Sequence, residues 1–300
     1  MIAPNAYNLI MNVIPKLEHD IVQNKELIQE ISDFVLKLNE IFFGAASNGK
    51  CAIFADSTIE FPYYSFGNVK SHQHLEYREL VIFAIYRSIL GMYSRFVDAG
   101  GNLGLHSIVA GSLSSADLVY IEPDPKHYLE AKRRFDLNGL TNRIEMHQVA
   151  LCSPEESKTF IRVLDNTTGS HLQGSKESVY GPIETITVQG SELNKFISPS
   201  SRTLAKIDIE GAESEVLGSL SNSVWERLDC IVEITDLNAA KRILEIARCH
   251  NLKISSQKIS WNIANNIEDL PHKWSEGSIF ISKYLTRNEF LHQGIATVNN

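Results

Sequence analysis

From residue 95 onward the hydrophobic positions fall into short apolar runs separated by stretches of helical period. The runs lie near 95–98, 118–122, 143–148, 203–209, 229–234, 252–256 and 277–283 and read as strands. Helical spacing occupies 104–111, 125–138, 191–197, 212–219 and 237–250. This alternation implies a mostly parallel sheet with right-handed crossovers and helices on both faces. Two more strand-like runs, near 158–164 and 183–189, flank a polar insertion, Asp165 to Gly181. Ahead of residue 95, residues 1–43 are helical in pattern, with Leu27, Ile28, Ile31, Phe34, Val35, Leu38, Ile41 and Phe42 at helical spacing. Asn48-Gly49 breaks that pattern, Ala52 to Phe66 reads as short edge strands or an ordered loop, and a second helix follows from His74 to Met92. The expected organisation is an N-terminal helical extension (1–92) acting as a lid or homodimer contact, a main domain (93–284) and a fraying tail (285–300).

The chemistry concentrates where the first of these strands ends. Phe96-Val97-Asp98-Ala99-Gly100-Gly101-Asn102-Leu103-Gly104 is an apolar run ending in an acid, then a glycine-rich turn, then the start of a helix. That is the layout of a nucleotide site at the edge of a parallel sheet. Its spacing is not G-x-G-x-x-G, and it lacks the Gly-Lys-Ser/Thr end of a phosphate loop. Asp98 would repel a pyrophosphate and favours a ligand carrying an ammonium and a sulfonium, which points to S-adenosylmethionine. Val119-Tyr120-Ile121-Glu122 ends in a second acid 24 residues after Asp98. An acid at that place in nucleotide-binding α/β folds accepts ribose hydroxyls. Asp98, Gly100, Asn102 and Gly104 are therefore expected at the methionine end and Glu122 at the ribose. The adenine is expected near the third strand's end, at Gln148, Val149 and Ala150.

These motifs, with Ile121-Glu122-Pro123, Val149-Ala150-Leu151 and Lys206-Ile-Asp208-Ile-Glu210-Gly-Ala-Glu213, resemble the FkbM family of S-adenosylmethionine-dependent methyltransferases over about residues 94–235. The resemblance implies a Rossmann-like class I methyltransferase fold, a mostly parallel seven-stranded sheet, carrying the helical N-terminal extension. It adds Pro123 to the cofactor set and implies O-methylation of a sugar, polysaccharide precursor or natural-product hydroxyl. Gly101 stands where the family usually has alanine. A non-catalytic binding module and a nicotinamide-dependent oxidoreductase remain as alternatives, the second disfavoured by the glycine spacing.

Asp208, at the tip of the fourth core strand, is expected to face the transferable methyl and to orient or deprotonate the acceptor hydroxyl. Lys206 alternates to the same face. Asp208, Glu210 and Glu233 could instead gather Mg2+, although no spacing specifies a metal site. A histidine base is sought among His72, His74, His106 and His171, with His171 preferred because it lies in the insertion. Residues His72 to Tyr77 and the insertion are expected to wall the acceptor pocket.

Composition narrows the partners. A net charge of −8 without a long basic run argues against nucleic acid, and Lys132-Arg133-Arg134 reads as one solvated helix face. The four cysteines show no C-x-x-C spacing, which suggests neither zinc nor a disulfide framework. With no apolar run long enough to span a bilayer and no leader-like start, the chain is expected to be cytoplasmic, acting on a small-molecule or saccharide acceptor.

Overall fold

The computed structural model describes Tyr7, Met11, residues 25–176 and residues 181–285. The rest of the first 24 residues, part of the insertion and the tail from 286 lie outside the described residues, along with the expectations that fall on them.

The N-terminal segment supplies helix α1 (Lys25–Phe43), a hairpin of β1 (Lys50–Phe54) and β2 (Ser57–Glu60), and helix α2 (Tyr77–Ile89). The second helix begins later than its periodicity suggests, after a 3-10 turn at Ser71–His74. The Leu75 carbonyl, which a longer helix would use internally, accepts from Asn39 Nδ2 at 2.8 Å.

The expected alternation follows: β3 (Arg95–Ala99), α3 (Leu105–Leu113), β4 (Asp117–Ile121), α4 (Pro125–Leu137) and β5 (Ile144–His147). An antiparallel pair, β6 (Ser157–Val163) and β7 (Ile183–Ser191), then leaves the main sheet. The chain returns through β8 (Thr203–Ile207), α5 (Glu213–Gly218), β9 (Leu228–Glu233), α6 (Leu237–His250), β10 (Lys253–Ser256) and β11 (Ser278–Ser282). The stretch 191–197 forms only a 3-10 turn, Leu193–Phe196. The main sheet runs β10-β11-β9-β8-β3-β4-β5, with a two-residue strand, Asn262–Ile263, added beyond β10. Pairing is parallel from β9 to β5, while β11 is antiparallel to both neighbours. This is the Rossmann-like class I methyltransferase architecture implied by the motifs.

Both faces of the sheet are buried, so its strands read as near-continuous apolar runs. Phe96, Leu118, Tyr120, Leu204, Ile231 and Phe280 pack into one core with α2, α3, α4 and the N-terminal segment. Val97, Ala99, Val119, Ile121, Ala205, Ile207 and Val232 pack into a second core with α5 and α6. Helix starts are fixed by local chemistry. Asp124 caps α4, accepting from Lys126 N at 2.8 Å, and Pro125 fills the first turn. Asp236 caps α6, accepting from Asn238 N and Ala239 N at 2.7 and 2.8 Å. No helix among the described residues is long and apolar enough to cross a membrane.

Candidate active site

The parallel strands align their carboxyl ends, with Asp98 level with Tyr120 and Lys206, and Ala99 level with Ile121 and Ile207. Beyond these ends lies a cavity of about 790 Å³. Ligands bind at this edge in open α/β sheets.

One pole is built on the glycine loop. Gly100 N and Gly101 N donate to Ile121 O at 2.9 and 3.0 Å, tying the loop to the tip of β4. Gly100 has φ 75°, and a Cβ there would lie 1.8 Å from Asp208 O. Only glycine fits where the loop passes the end of β8. The Glu122 carboxylate accepts from Asn102 N at 2.9 Å and from Asp124 N at 2.8 Å. Burial pushes its pKa up to about 8, against the opposing pull of those two amides. Asn102 has φ 50°, and its Oδ1 is buried without a hydrogen bond. Pro123, Val149, Ala150, Leu151 and Phe160 continue this wall.

At the other pole a charge layer, half-buried except at the fully buried Lys206, lies on the α2–α3 side of the sheet. Lys206, 1% exposed, places Nζ 3.2 Å from Asp208 Oδ2. Burial would depress its pKa, but Asp208, Glu79 and Glu233 outweigh it and hold the ammonium above its ordinary range. Burial pushes Asp208 up, but Lys206 and a hydrogen bond from Glu233 hold it below the usual carboxylate range. Glu233 is raised well above that range, first by burial and then by the Asp208 charge. Of the two carboxyls, Glu233 is therefore the one that favours the proton. Glu79 lies 2.9 Å from His106 Nε2, and His106 Nδ1 lies 2.9 Å from the Tyr86 hydroxyl. His74 is driven down to about 4 by burial, so its imidazole is neutral, and Nε2 has no hydrogen bond. Among the described residues no three His, Cys, Asp or Glu side chains form a group able to hold a metal. The Lys206 ammonium is the positive charge beside Asp208.

Of the residues singled out by sequence, Gly100, Asn102, Glu122, Pro123, Val149, Ala150 and Asp208 all line this cavity. Asp98, Gly104, Gln148 and His171 are not among the lining residues. Asp98 is buried, and its Oδ2 accepts from Ser107 N and Oγ at 2.9 and 2.7 Å. Gly104 is needed for φ 79° and because a Cβ would lie 2.5 Å from the Phe135 ring. The preference for His171 as base meets a geometric obstacle. His171 pairs with Ile161 of β6, and alternation gives Ser170 and Leu172 to the cavity while turning His171 away. Its Nδ1 lies 2.9 Å from Gly169 O, and His74 lines the cavity in its place.

The insertion contributes Asn166 to Ser170 and Lys176, which pairs with Glu210. The segment before α2 contributes Gln73, His74 and Glu76. A third wall escaped sequence reading: Thr235, Asp236 and Asn238 after β9, then Gln257, Trp274 and Ser278. Nothing local marks these residues, because each becomes relevant only through the sheet order that brings β9, β10 and β11 together. His127 was also missed. Its Nε2 is 2.9 Å from Thr167 Oγ1, joining α4 to the insertion.

A model of the methyltransferase FkbM domain matches residues 98–253 of the chain. Methyltransferase 1 of Beauveria bassiana (strain ARSEF 2860) is 26% identical over 176 residues, 51% of this chain and 70% of that protein. Among solved structures, the human methyltransferase 10 domain containing protein superposes with a TM-score of 0.41 at 13% identity, covering 86% of this chain and 98% of that one. Precorrin-6y C5,15-methyltransferase from Geobacter metallireducens GS-15 gives 0.36 at 11% identity, covering 68% and 85%.

Proposed function

The chain belongs to the FkbM methyltransferase family, and from that premise we propose that it transfers the methyl group of S-adenosylmethionine to a hydroxyl of a saccharide or natural-product acceptor. The observation carrying this reading is that one cavity joins the Glu122 pole to the Asp208–Lys206–Glu233 pole. The first pole suits the cofactor. Glu122 is fixed by two backbone amides, and its carboxyl keeps hydrogen-bonding capacity on both oxygens for ribose hydroxyls. Asn102 offers a buried, unpaired amide oxygen to an ammonium, and Val149 and Ala150 present an apolar slot to a flat base. When bound, the cofactor supplies an electrophilic methyl on a sulfonium.

Asp208, kept anionic by Lys206, accepts a hydrogen bond from the acceptor hydroxyl and takes its proton as the oxygen becomes an ether. An acid of depressed pKa is a weak base, so alignment matters more than proton affinity here. Holding oxygen and methyl in line supplies up to about 7–11 kcal/mol in such reactions. His74 offers a neutral imidazole as a second hydrogen-bonding group beside Asp208.

Calorimetry with S-adenosylhomocysteine and with NAD tests the cofactor assignment. The first should bind, the second should not, and Glu122→Ala should weaken the first by about 1.5–3 kcal/mol. Asp208→Asn should cut turnover while leaving S-adenosylhomocysteine affinity near wild type. Collapse of that affinity with turnover preserved at saturation would move Asp208 out of the acceptor site.

A further inference from the structure

Trp225 and Trp261 are 1% and 0% exposed, whereas Trp274 is 62% exposed and lines the cavity. The Arg78 guanidinium lies over its ring, 5.8 Å from the centroid. Arg78 is itself pinned, donating to Glu76 at 2.9 and 3.2 Å and to the Ser275 carbonyl. The indole is thus held at the cavity wall with much of its surface open to solvent.

Deeper on the same wall, Gln257 is 5% exposed, and its Oε1 accepts from Ser278 N at 2.9 Å. That bond sets the amide orientation and leaves Nε2, a buried donor, without a partner. Ser278 is the β11 residue paired with Glu233, which places Gln257 close to the proton-sharing carboxylates. Thr235, two residues beyond Glu233, has a buried hydroxyl oxygen that also lacks a hydrogen bond. Unpaired buried donors and acceptors cost stability unless a ligand completes them.

Resting on the methyl transfer proposed above, we infer that this C-terminal wall selects the acceptor: a pyranose ring stacks its C–H face on Trp274 and directs its hydroxyls to Gln257 and Thr235. The geometry favours a polyol over a flat aromatic alcohol. A flat aromatic alcohol such as catechol would stack on Trp274, but with one hydroxyl placed for methylation it has at most one left for Gln257 Nε2 and Thr235 Oγ1. Trp274 and Gln257 are binding and specificity residues in this arrangement, and they lie apart from the Glu122 pole.

The full chain saturated with S-adenosylhomocysteine, titrated with a panel of methyl hexopyranosides and with catechol, provides the test. Because the other two tryptophans are buried, acrylamide quenching of intrinsic fluorescence reports on Trp274. At least one pyranoside should shield it from acrylamide and, with S-adenosylmethionine, should be methylated. Trp274→Ala and Gln257→Leu should each raise the KM for that pyranoside tenfold or more with kcat changed less than threefold. S-adenosylhomocysteine affinity should not move, which also shows that both variants fold. Methylation of catechol alone, failure of every pyranoside to shield or react, or unchanged KM in both variants would overturn the assignment. Failure of S-adenosylhomocysteine to bind wild type would instead sink the cofactor reading beneath it.

Discussion

Each oxygen of Glu122 accepts one backbone amide, yet burial still carries the group's pKa to about 8. Its ordinary value, and so its value in the unfolded chain, is 4.5. The folded state therefore binds the extra proton between these values. The stabilisation is full below about pH 4.5 and is lost as pH rises through 8. Glu122→Gln removes this dependence. Urea melts should show the variant gaining on wild type between pH 5 and pH 8 by on the order of 1–3 kcal/mol, whatever offset the substitution itself introduces. A difference that stays constant across that range would place Glu122 at its ordinary pKa. At the same scale, Gly100→Ala forces a side chain into the Asp208 carbonyl and an L residue into φ 75°. It should abolish S-adenosylhomocysteine binding and lower the melting temperature by several degrees, since strain and overpacking each cost about 1–3 kcal/mol.

Among the elements, a buried ion pair joins α4 to the antiparallel β6–β7 pair. Asp124, 0% exposed, accepts from its own helix start, and its Oδ2 meets Arg162 Nε at 2.7 Å. Arg162 is 3% exposed and also pairs with Glu184 of β7. Asp124→Ala removes a cap and strands a buried guanidinium, so stability should fall by about 3–5 kcal/mol. Asp124→Asn keeps a capping oxygen and should lose less. Chemical denaturation of both variants checks the order, and equal losses would show that the cap contributes nothing beyond the ion pair. The cap itself was legible, since Asp124-Pro125 before a helical pattern is a start signal. Its second role was not. Arg162 lies 38 residues away in the chain, on a strand whose partner and direction the pattern leaves open.

At the scale of the molecule, Lys206 is the positive centre of a layer that gathers Asp208 and Glu233 from the sheet and Glu79 from α2. Lys206→Met should destabilise the fold by about 1–3 kcal/mol, because it leaves partly buried carboxylates without their cation. It also releases Asp208 from the charge that holds its pKa down. The sign follows: Asp208 must be anionic to accept the hydroxyl, so the acidic limb of the pH–kcat profile should move to higher pH in the variant. If that limb stays where it was while stability falls, Lys206 is a structural partner only.

The chain by itself determined the strand–helix alternation, the doubly wound sheet, the glycine loop at 100–104 and the strand-end acid Glu122. These depend on periodicity and on backbone geometry that glycine and strand-end acids enforce over short distances. Lys206 beside Asp208 was also readable, being two residues away on one strand. Tertiary structure alone decided the remaining chemistry. It gave His74 to the cavity and turned His171 away, because neighbours on a short strand face opposite sides and the register cannot be read locally. It committed Asp98 to Ser107 across the start of α3. It also brought Gln257 and Trp274 to the site through the antiparallel β11, inserted between β9 and β10, a neighbour relation set by packing and not by any spacing along the chain.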